Sequence, residues 1–214
     1  MTRMTDSRLG EAFAHWQAVY LSKDPGQVSW YRPHLNTSLE LLKSGGLHAG
    51  SRILDVGAGA STLVDDLLAL GVVNITALDI SDAALEITRR RLGSLASKVH
   101  WVAADIAKAA LEPAGVDLWH DRAALHFLDA KAADAYADRA AQAMAPGGHA
   151  VIGCFAADGP ERCSGLPVAR RDPVDIARLF GTRFALVESR FERHSTPWGS
   201  PQAFAYALLK RVPS

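Results

Sequence analysis

Three aspartates close three successive apolar runs: Asp55 in "RILDVG", Asp79 in "NITALDI" and Asp105 in "KVHWVAADI". Behind the first run, glycines stand at 57 and 59, followed by Ser61 and Thr62. An apolar strand that feeds a glycine turn and then a helix brings backbone close to a ligand. A phosphate-gripping loop of this shape ends in Lys followed by Ser or Thr; "GAGASTLV" has no lysine, which disfavours phosphoryl transfer. A dinucleotide-binding turn wants a third glycine for helix packing, and Thr62 stands there instead. Asp79 falls 22 positions after Gly57, close to where a carboxylate grips a ribose diol. Asp55 would repel a pyrophosphate but suits a ligand with an ammonium group. Asp105 is placed to accept from an adenine amino group. Singly, Asp55 could instead cap a turn and Asp79 could be an acid near a helix N-terminus. Together with the glycine turn they point to a cationic, adenosine-containing ligand without phosphates.

These residues need a scaffold, and the hydrophobic pattern supplies one. "LGEAFAHWQAVYL" (9–21) places Leu9, Phe13, Trp16 and Tyr20 at helical spacing. "SKDPGQVSWYRPH" reads as an ordered loop, and "LNTSLELLKSGGL" as a helix stopped by Gly45 and Gly46. A regular alternation follows: strand "RILDVG", helix "STLVDDLLALG" closed by Gly71, strand "NITALDI", helix "SDAALEITRRRL" with a serine N-cap, then strands "KVHWVAADI" and "GVDLWHD". The Ala-rich helix "DAKAADAYADRAAQAM", stopped by Pro146 and two glycines, leads to strand "HAVIGCFA", short helix "DPVDIARLFG", and strands "FALVESRFERH" and "AFAYALLKR". Strands separated by helices give βαβ units on a parallel sheet. The last two strands, joined by a loop alone, predict an antiparallel hairpin at one edge.

Bulk composition is compatible with this. The chain has 214 residues, 49% hydrophobic, with 23 basic and 23 acidic side chains. That predicts one domain over 1–214, and the pattern above divides it into N-terminal helices with the front loop in 1–46 and the alternating α/β core in 47–214. Zero net charge gives no support to a nucleic-acid or anionic-membrane partner. Cys154 and Cys163, with no metal-ligand spacing, predict neither a disulfide scaffold nor a metal site. With no signal-like or membrane-length apolar run, the expected location is the cytoplasm. Oligomeric state is not legible.

The motifs "LDVGAGAST", "ALDIS", "AADI" and "MAPGGHAVI", in this order, resemble those of class I S-adenosylmethionine-dependent methyltransferases. The resemblance runs from about residue 50 to the C-terminus. It implies an α/β fold: a seven-stranded sheet, helices on both faces, and the last strand inserted antiparallel. It also implies S-adenosyl-L-methionine as cofactor. By position, Gly57, Ala58 and Gly59 approach the methionine part and Asp55 helps hold it. Asp79 takes the ribose, and Ile80, Asp105 and Ile106 frame the adenine.

Methyl transfer is an in-line displacement at a sulfonium, so the protein must align an acceptor and exclude water. A thiol acceptor must first lose its proton, which a cationic or basic neighbour assists. The fourth strand ends in "WHDRAALHFL", facing the methyl group by topology. Asp121, Arg122 and His126 there are candidate catalytic residues, and Asp121 is also a candidate for cofactor contact; a structural Asp–Arg pair is the alternative. "WHDRAAL", the segment from "LPVARRDPVDIARLFG" to "ERHSTPWG", and the front loop "WQAVY…VSWYRPH" are similar to the thiopurine methyltransferase family, although "DVGAG" lacks that family's cysteine. This implies sulfur or related chalcogen acceptors. In the front loop, Trp30 is a candidate for covering the sulfonium. Tyr31, Arg32 and His34 are candidates for substrate contact, His34 also for catalysis. The loop "FAADGPERCSGLPV" should overhang the same pocket with Arg162 and Cys163. His194 and Trp198 either line the pocket edge or pin the hairpin. Two alternatives stand beside a small chalcogen acceptor: a protein lysine methyltransferase, and a module that binds the cofactor without catalysis. Arg122, Arg162, Arg170 and Arg171 favour an anionic or compact acceptor over lysine. An NAD-dependent reductase lacks both the third glycine and a Tyr-x-x-x-Lys pair.

Overall fold

The computed structural model describes residues 3–213, with side chains from residue 10 onward. Helix α1 (Arg3–Ser22) is followed by a single 3-10 turn at Pro25–Gln27 and helix α2 (Asn36–Ser44). Of the apolar stripe expected on α1, Trp16 and Tyr20 face inward, Phe13 is exposed, and the Leu9 side chain lies outside the described residues. The alternating part then runs β1 (Arg52–Val56), α3 (Leu63–Ala69), β2 (Asn74–Asp79), α4 (Asp82–Leu92), β3 (Val99–Ala103), β4 (Val116–Arg122), α5 (Ala130–Ala143) and β5 (Met144–Phe155). A two-strand ribbon, β6 (Arg162–Cys163) and β7 (Leu166–Pro167), precedes α6 (Pro173–Phe180), β8 (Phe184–Ser195) and β9 (Pro201–Arg211).

The main sheet has the order β3-β2-β1-β4-β5-β9-β8. Its first five strands are parallel, and β9 is inserted antiparallel between β5 and β8. Chain order reverses between β1 and β4, and beyond the carboxyl ends of those strands lies the crevice where such sheets take their ligands. Because both faces are covered, period-two alternation sorts apolar residues into two cores rather than into core and surface. On β1, Leu54 and Val56 join the core under α5 and α6, whereas Ile53 joins the core under α2, α3 and α4.

The helix ends follow local chemistry. Ser81 Oγ accepts from the Ala84 N–H and Asp129 Oδ1 from the Ala132 N–H, capping α4 and α5. Helix α5 stops at Ala143, earlier than the proline-glycine stop expected from the sequence. Met144 is already extended and pairs with Val116, two residues ahead of Pro146, which cannot continue a helix. The β6–β7 ribbon, expected as plain loop, is held by antiparallel pairing of Arg162 with Pro167 and Cys163 with Leu166. No helix among the described residues is long and apolar enough to cross a membrane.

Candidate active site

One cavity of about 280 Å³ lies over the carboxyl ends of β1, β2 and β4, roofed by α1 and the front loop. At one end it is lined by Asp55, Gly57, Ala58, Asp79, Ile80, Asp105 and Ile106. At the other it is lined by Trp30, Arg122, Phe127, Phe155, Cys163 and Phe204.

The first end is built from backbone turns around carboxylates. Asp79 Oδ1 accepts from the Ser81 N–H at 2.8 Å and Oδ2 from the Gly59 N–H at 2.9 Å. Burial pushes this carboxyl up to about 6, against the opposing pull of those N–H donors. Asp105 Oδ1 accepts from the Ala107 N–H at 3.0 Å, while its Oδ2 is buried without a partner. Asp55 likewise spends one oxygen, taking His120 Nδ1 at 2.7 Å, and leaves Oδ2 buried and unpartnered. Buried carboxylate oxygens left without donors are costly unless a ligand supplies them. This set of acceptors fits a ligand that brings an ammonium group, an aromatic amine and a diol. Gly57 (φ 65°) and Gly59 (φ 53°) both need their conformational freedom. A Cβ on Gly57 would come within 2.6 Å of Ala124 Cβ, and one on Gly59 within 2.5 Å of the Tyr20 hydroxyl. Gly57 lines the cavity with Ala58, whereas Gly59, expected there too, does not and instead makes room for Tyr20 of α1.

The second end is apolar and aromatic with one fixed cation. Arg122 lays its guanidinium over the Phe204 ring at 4.4 Å. It donates from Nε to Tyr206 Oη at 2.9 Å and from Nη1 to the Trp30 carbonyl at 3.0 Å. Its Nη2 is buried and has no partner. Tyr206 donates in turn to Glu192 Oε2 at 3.0 Å, and Arg32 donates to Glu192 Oε1 at 2.6 Å. Burial alone would raise the Glu192 carboxyl, but Arg122, Tyr206 and Arg32 together hold it below its ordinary value. The front loop is gripped by its carbonyls: Arg122 holds residue 30, His194 Nε2 meets the Ser29 oxygen at 2.6 Å, and Thr62 Oγ1 donates to Arg32 at 2.9 Å. Trp30 then packs edge-on against Trp16 and Tyr20, and Trp16 against Phe127, which closes the roof with aromatic rings.

Several candidates from the sequence fall elsewhere. His34 is 63% exposed, bonded to Asp66 at 2.9 Å, and does not line the cavity. Asp121 points away from it: Oδ1 caps the turn at the Ala124 N–H (2.8 Å) and Oδ2 accepts from Tyr136 Oη (2.7 Å). Burial pushes Asp121 up to about 6 as well. His126 is fully buried against Phe127 and Phe155, with its pKa depressed to about 3, first by burial and then by Arg171 and Arg122. Arg162 is exposed and donates to the Gly165 carbonyl of its own ribbon. Arg170 pairs with Glu161 at 3.2 Å. Cys163 does line the cavity, but burial pushes its thiol up to about 11, so it stays protonated. Tyr31 and Arg32 also line it. His194 pins the front loop, while Trp198 is 61% exposed.

The common reason is strand alternation. On β4, Trp119 and Asp121 face α5, whereas His120 and Arg122 face α2 and the cavity. Period two along "WHDR" was the available signal for His120, which was not anticipated. Tyr206, Phe204, Phe155, Glu192 and Ser38 were also not anticipated; they reach the site only through tertiary structure.

Comparison with known proteins bears on this geometry. Residues 53–148 match the family model described as a methyltransferase domain. This stretch carries a methyltransferase-domain signature. No curated protein matches the chain. Among solved structures, one from work on conversion of a disulfide bond into a thioacetal group during echinomycin biosynthesis aligns with TM-score 0.75 and 18% identity, over 92% of this chain and 90% of that one. The 1,6-didemethyltoxoflavin-N1-methyltransferase of Burkholderia thailandensis, solved with S-adenosylhomocysteine, aligns with TM-score 0.68 and 20% identity, over 97% and 87%. The N-methyltransferase NodS from Bradyrhizobium japonicum, also with S-adenosylhomocysteine, gives TM-score 0.66 and 20% identity, over 96% and 97%. The fold is therefore that of the class I S-adenosylmethionine-dependent methyltransferases, with the seven-stranded sheet expected from the sequence.

Proposed function

We propose that this protein methylates a small nucleophilic acceptor, a thiol, sulfide or related chalcogen compound, with S-adenosyl-L-methionine as donor. The observation that carries the reading is the makeup of the aromatic end. Arg122 presents a buried, unpartnered N–H there, and Arg32 is the other charged side chain on that wall. His34 and Asp121 point elsewhere, and His126 is too weakly basic to take a proton. An acceptor at such a wall has to ionise readily without a dedicated base. A thiol, with a pKa of about 8.5, does so far more easily than an alkylammonium at about 10.4. A guanidinium stabilises the resulting anion.

Bound S-adenosylmethionine supplies an electrophilic methyl group on a sulfonium. The chain's part is to hold and shield. Asp79 and Asp105 accept from the adenosine, Asp55 receives the ammonium, and Gly57 and Ala58 let the backbone approach. Trp30 and Trp16 exclude water, and Arg122 orients the acceptor anion. The thioacetal chemistry named for one structural neighbour supports a sulfur acceptor. The two N-methyltransferase neighbours make a small amine the second reading. A peptidyl lysine is disfavoured because Arg32 and Arg122 would meet its ammonium.

The test is methyl transfer from labelled cofactor to parallel sets of thiols, sulfide, amines, carboxylates and cell-extract protein. Label in small or volatile thioethers is expected. Label confined to protein bands would overturn the reading.

A further inference from the structure

A line of three buried polar side chains crosses the floor of the cavity. Ser38 on α2 meets His120 Nε2 at 2.9 Å, and His120 Nδ1 meets Asp55 Oδ1 at 2.7 Å. All three are 1–2% exposed. Asp55 and His120 are direct register partners on the adjacent parallel strands β1 and β4, so both side chains leave the sheet on the same face. Asp55 and His120 line the cavity, and Asp55 Oδ2 is buried without a partner. Among the described residues, no lysine or arginine pairs with Asp55; its ion-pair contact is His120.

One arrangement of protons satisfies this line throughout. A carboxylate only accepts, so Nδ1 carries the hydrogen toward Asp55. Nε2 then accepts from the Ser38 hydroxyl, and every atom between Ser38 and Oδ1 is satisfied with the ring neutral. With an imidazolium, Nε2 would donate to Ser38, and the Ser38 hydrogen would have to turn back to a carbonyl of the preceding turn of α2. A neutral ring aims the carboxylate without cancelling its charge. An arginine or lysine in this place would aim it equally well and neutralise it. With the ring neutral, Oδ2 carries its charge uncancelled in a site removed from water, where attraction for a cation is strongest.

We propose that His120, held in its Nδ1–H form by Ser38, is a positioning residue that keeps Asp55 anionic and aimed for the ammonium group of the cofactor's methionine part. This role rests on the cofactor reading above. It assigns to the Ser38–His120 pair the selection of the amino-acid tail, separately from recognition of the adenosine.

Two ligands separate those contributions. S-adenosylhomocysteine carries both parts; 5′-methylthioadenosine has the same adenosine and a thioether but no amino-acid tail. Calorimetric affinities for both are measured on the full chain, with circular dichroism to verify folding. His120→Leu should weaken S-adenosylhomocysteine by roughly tenfold or more, the loss of a charge-assisted hydrogen bond, and leave methylthioadenosine within about twofold. His120→Gln, which keeps an N–H for Asp55, should restore most of the difference. His120→Arg should lose it again, because the added charge cancels that of Asp55. Ser38→Ala should give a smaller loss in the same direction. Equal weakening of both ligands in His120→Leu, or no change in either, would overturn the role. An Arg variant as tight as the wild type would overturn the neutral-ring part of it. A wild type that binds methylthioadenosine and S-adenosylhomocysteine equally would count against the proposed use of Asp55 while leaving the adenosine site standing. Binding of neither would sink the cofactor reading and this role with it.

Discussion

The two ends of the cavity are built on opposite plans. At the end proposed for the cofactor, each polar group sits at the end of a strand, and Asp79 and Asp105 are fixed by N–H groups of the following turns. At the end proposed for the acceptor, Trp30, Arg122, Phe155, Cys163 and Phe204 arrive from five separate stretches of the chain. Backbone turns hold Asp79 and Asp105 at the first, where only Asp55 relies on a distant side chain, His120; long-range side-chain contacts hold the whole of the second, with Arg122 reaching residues 84 and 92 positions away. A site fixed by local turns tolerates change around it, whereas one assembled from distant side chains can be reshaped by single substitutions. The comparison predicts that the two ends can be damaged independently.

The largest effect should come from Asp79→Ala. It removes the carboxylate proposed for the ribose and the acceptor of two backbone N–H groups, so S-adenosylhomocysteine should bind about a hundredfold or more weaker by calorimetry. Unchanged binding would break the assignment of that end. Next, Arg122→Met should lower the rate of transfer to a thiol by roughly ten- to a hundredfold. Cofactor affinity should stay within about twofold, provided the ends are separable; a parallel fall in both would merge them.

The pH dependence comes third. Asp79 is raised by burial to about 6, so its protonation on acidification removes the ribose acceptor. Affinity for S-adenosylhomocysteine should fall about tenfold between pH 7 and pH 5. The unliganded protein should respond with the opposite sign. Its folded state holds a proton at Asp79 and Asp121 that the unfolded chain, with carboxyls near about 3.9, has already lost. That contribution favours folding fully below about pH 4 and is lost as pH rises through about 6. Denaturant melts and calorimetry across this window check the two signs together.

A purely structural effect should follow in Tyr136→Phe. The Tyr136 hydroxyl donates to Asp121 Oδ2 and accepts from Trp119 Nε1, both at 2.7 Å in the core. Its loss should cost about 1–3 kcal/mol in denaturant unfolding with little change in cofactor affinity. The smallest effect belongs to His34→Ala: with the imidazole exposed and outside the cavity, transfer rates should stay within about twofold. A large loss there would return His34 to the reaction.

The same contrast explains what the sequence made legible. The succession of strands and helices, the terminal hairpin and the three strand-end carboxylates are local or periodic features, and they follow from apolar runs, glycine turns and caps; the insertion of the last strand between β5 and β8 was legible only through the family resemblance. The role of Asp121 was misjudged because an acid beside an arginine looks reactive, yet alternation on β4 turns it toward Tyr136 and leaves His120 on the cavity face. His126 was misjudged because polarity alone does not reveal that Phe127 and Phe155 bury it. Tyr206 and Glu192 carry no local signal; β8 and β9 must first pair to bring them beside Arg122. The small β6–β7 ribbon was hidden in a stretch whose Gly and Pro content reads as loop.

The central claim is that the Arg122 end takes a sulfur nucleophile of small size. It is tested most directly by competition in one vessel: wild-type protein, methyl-labelled cofactor, and equal concentrations of benzenethiol, aniline and a lysine-containing peptide, with products separated and counted. The thioether should carry most of the label, and Arg122→Met should reduce that product most. Label mainly in N-methylaniline or in the peptide would contradict the account.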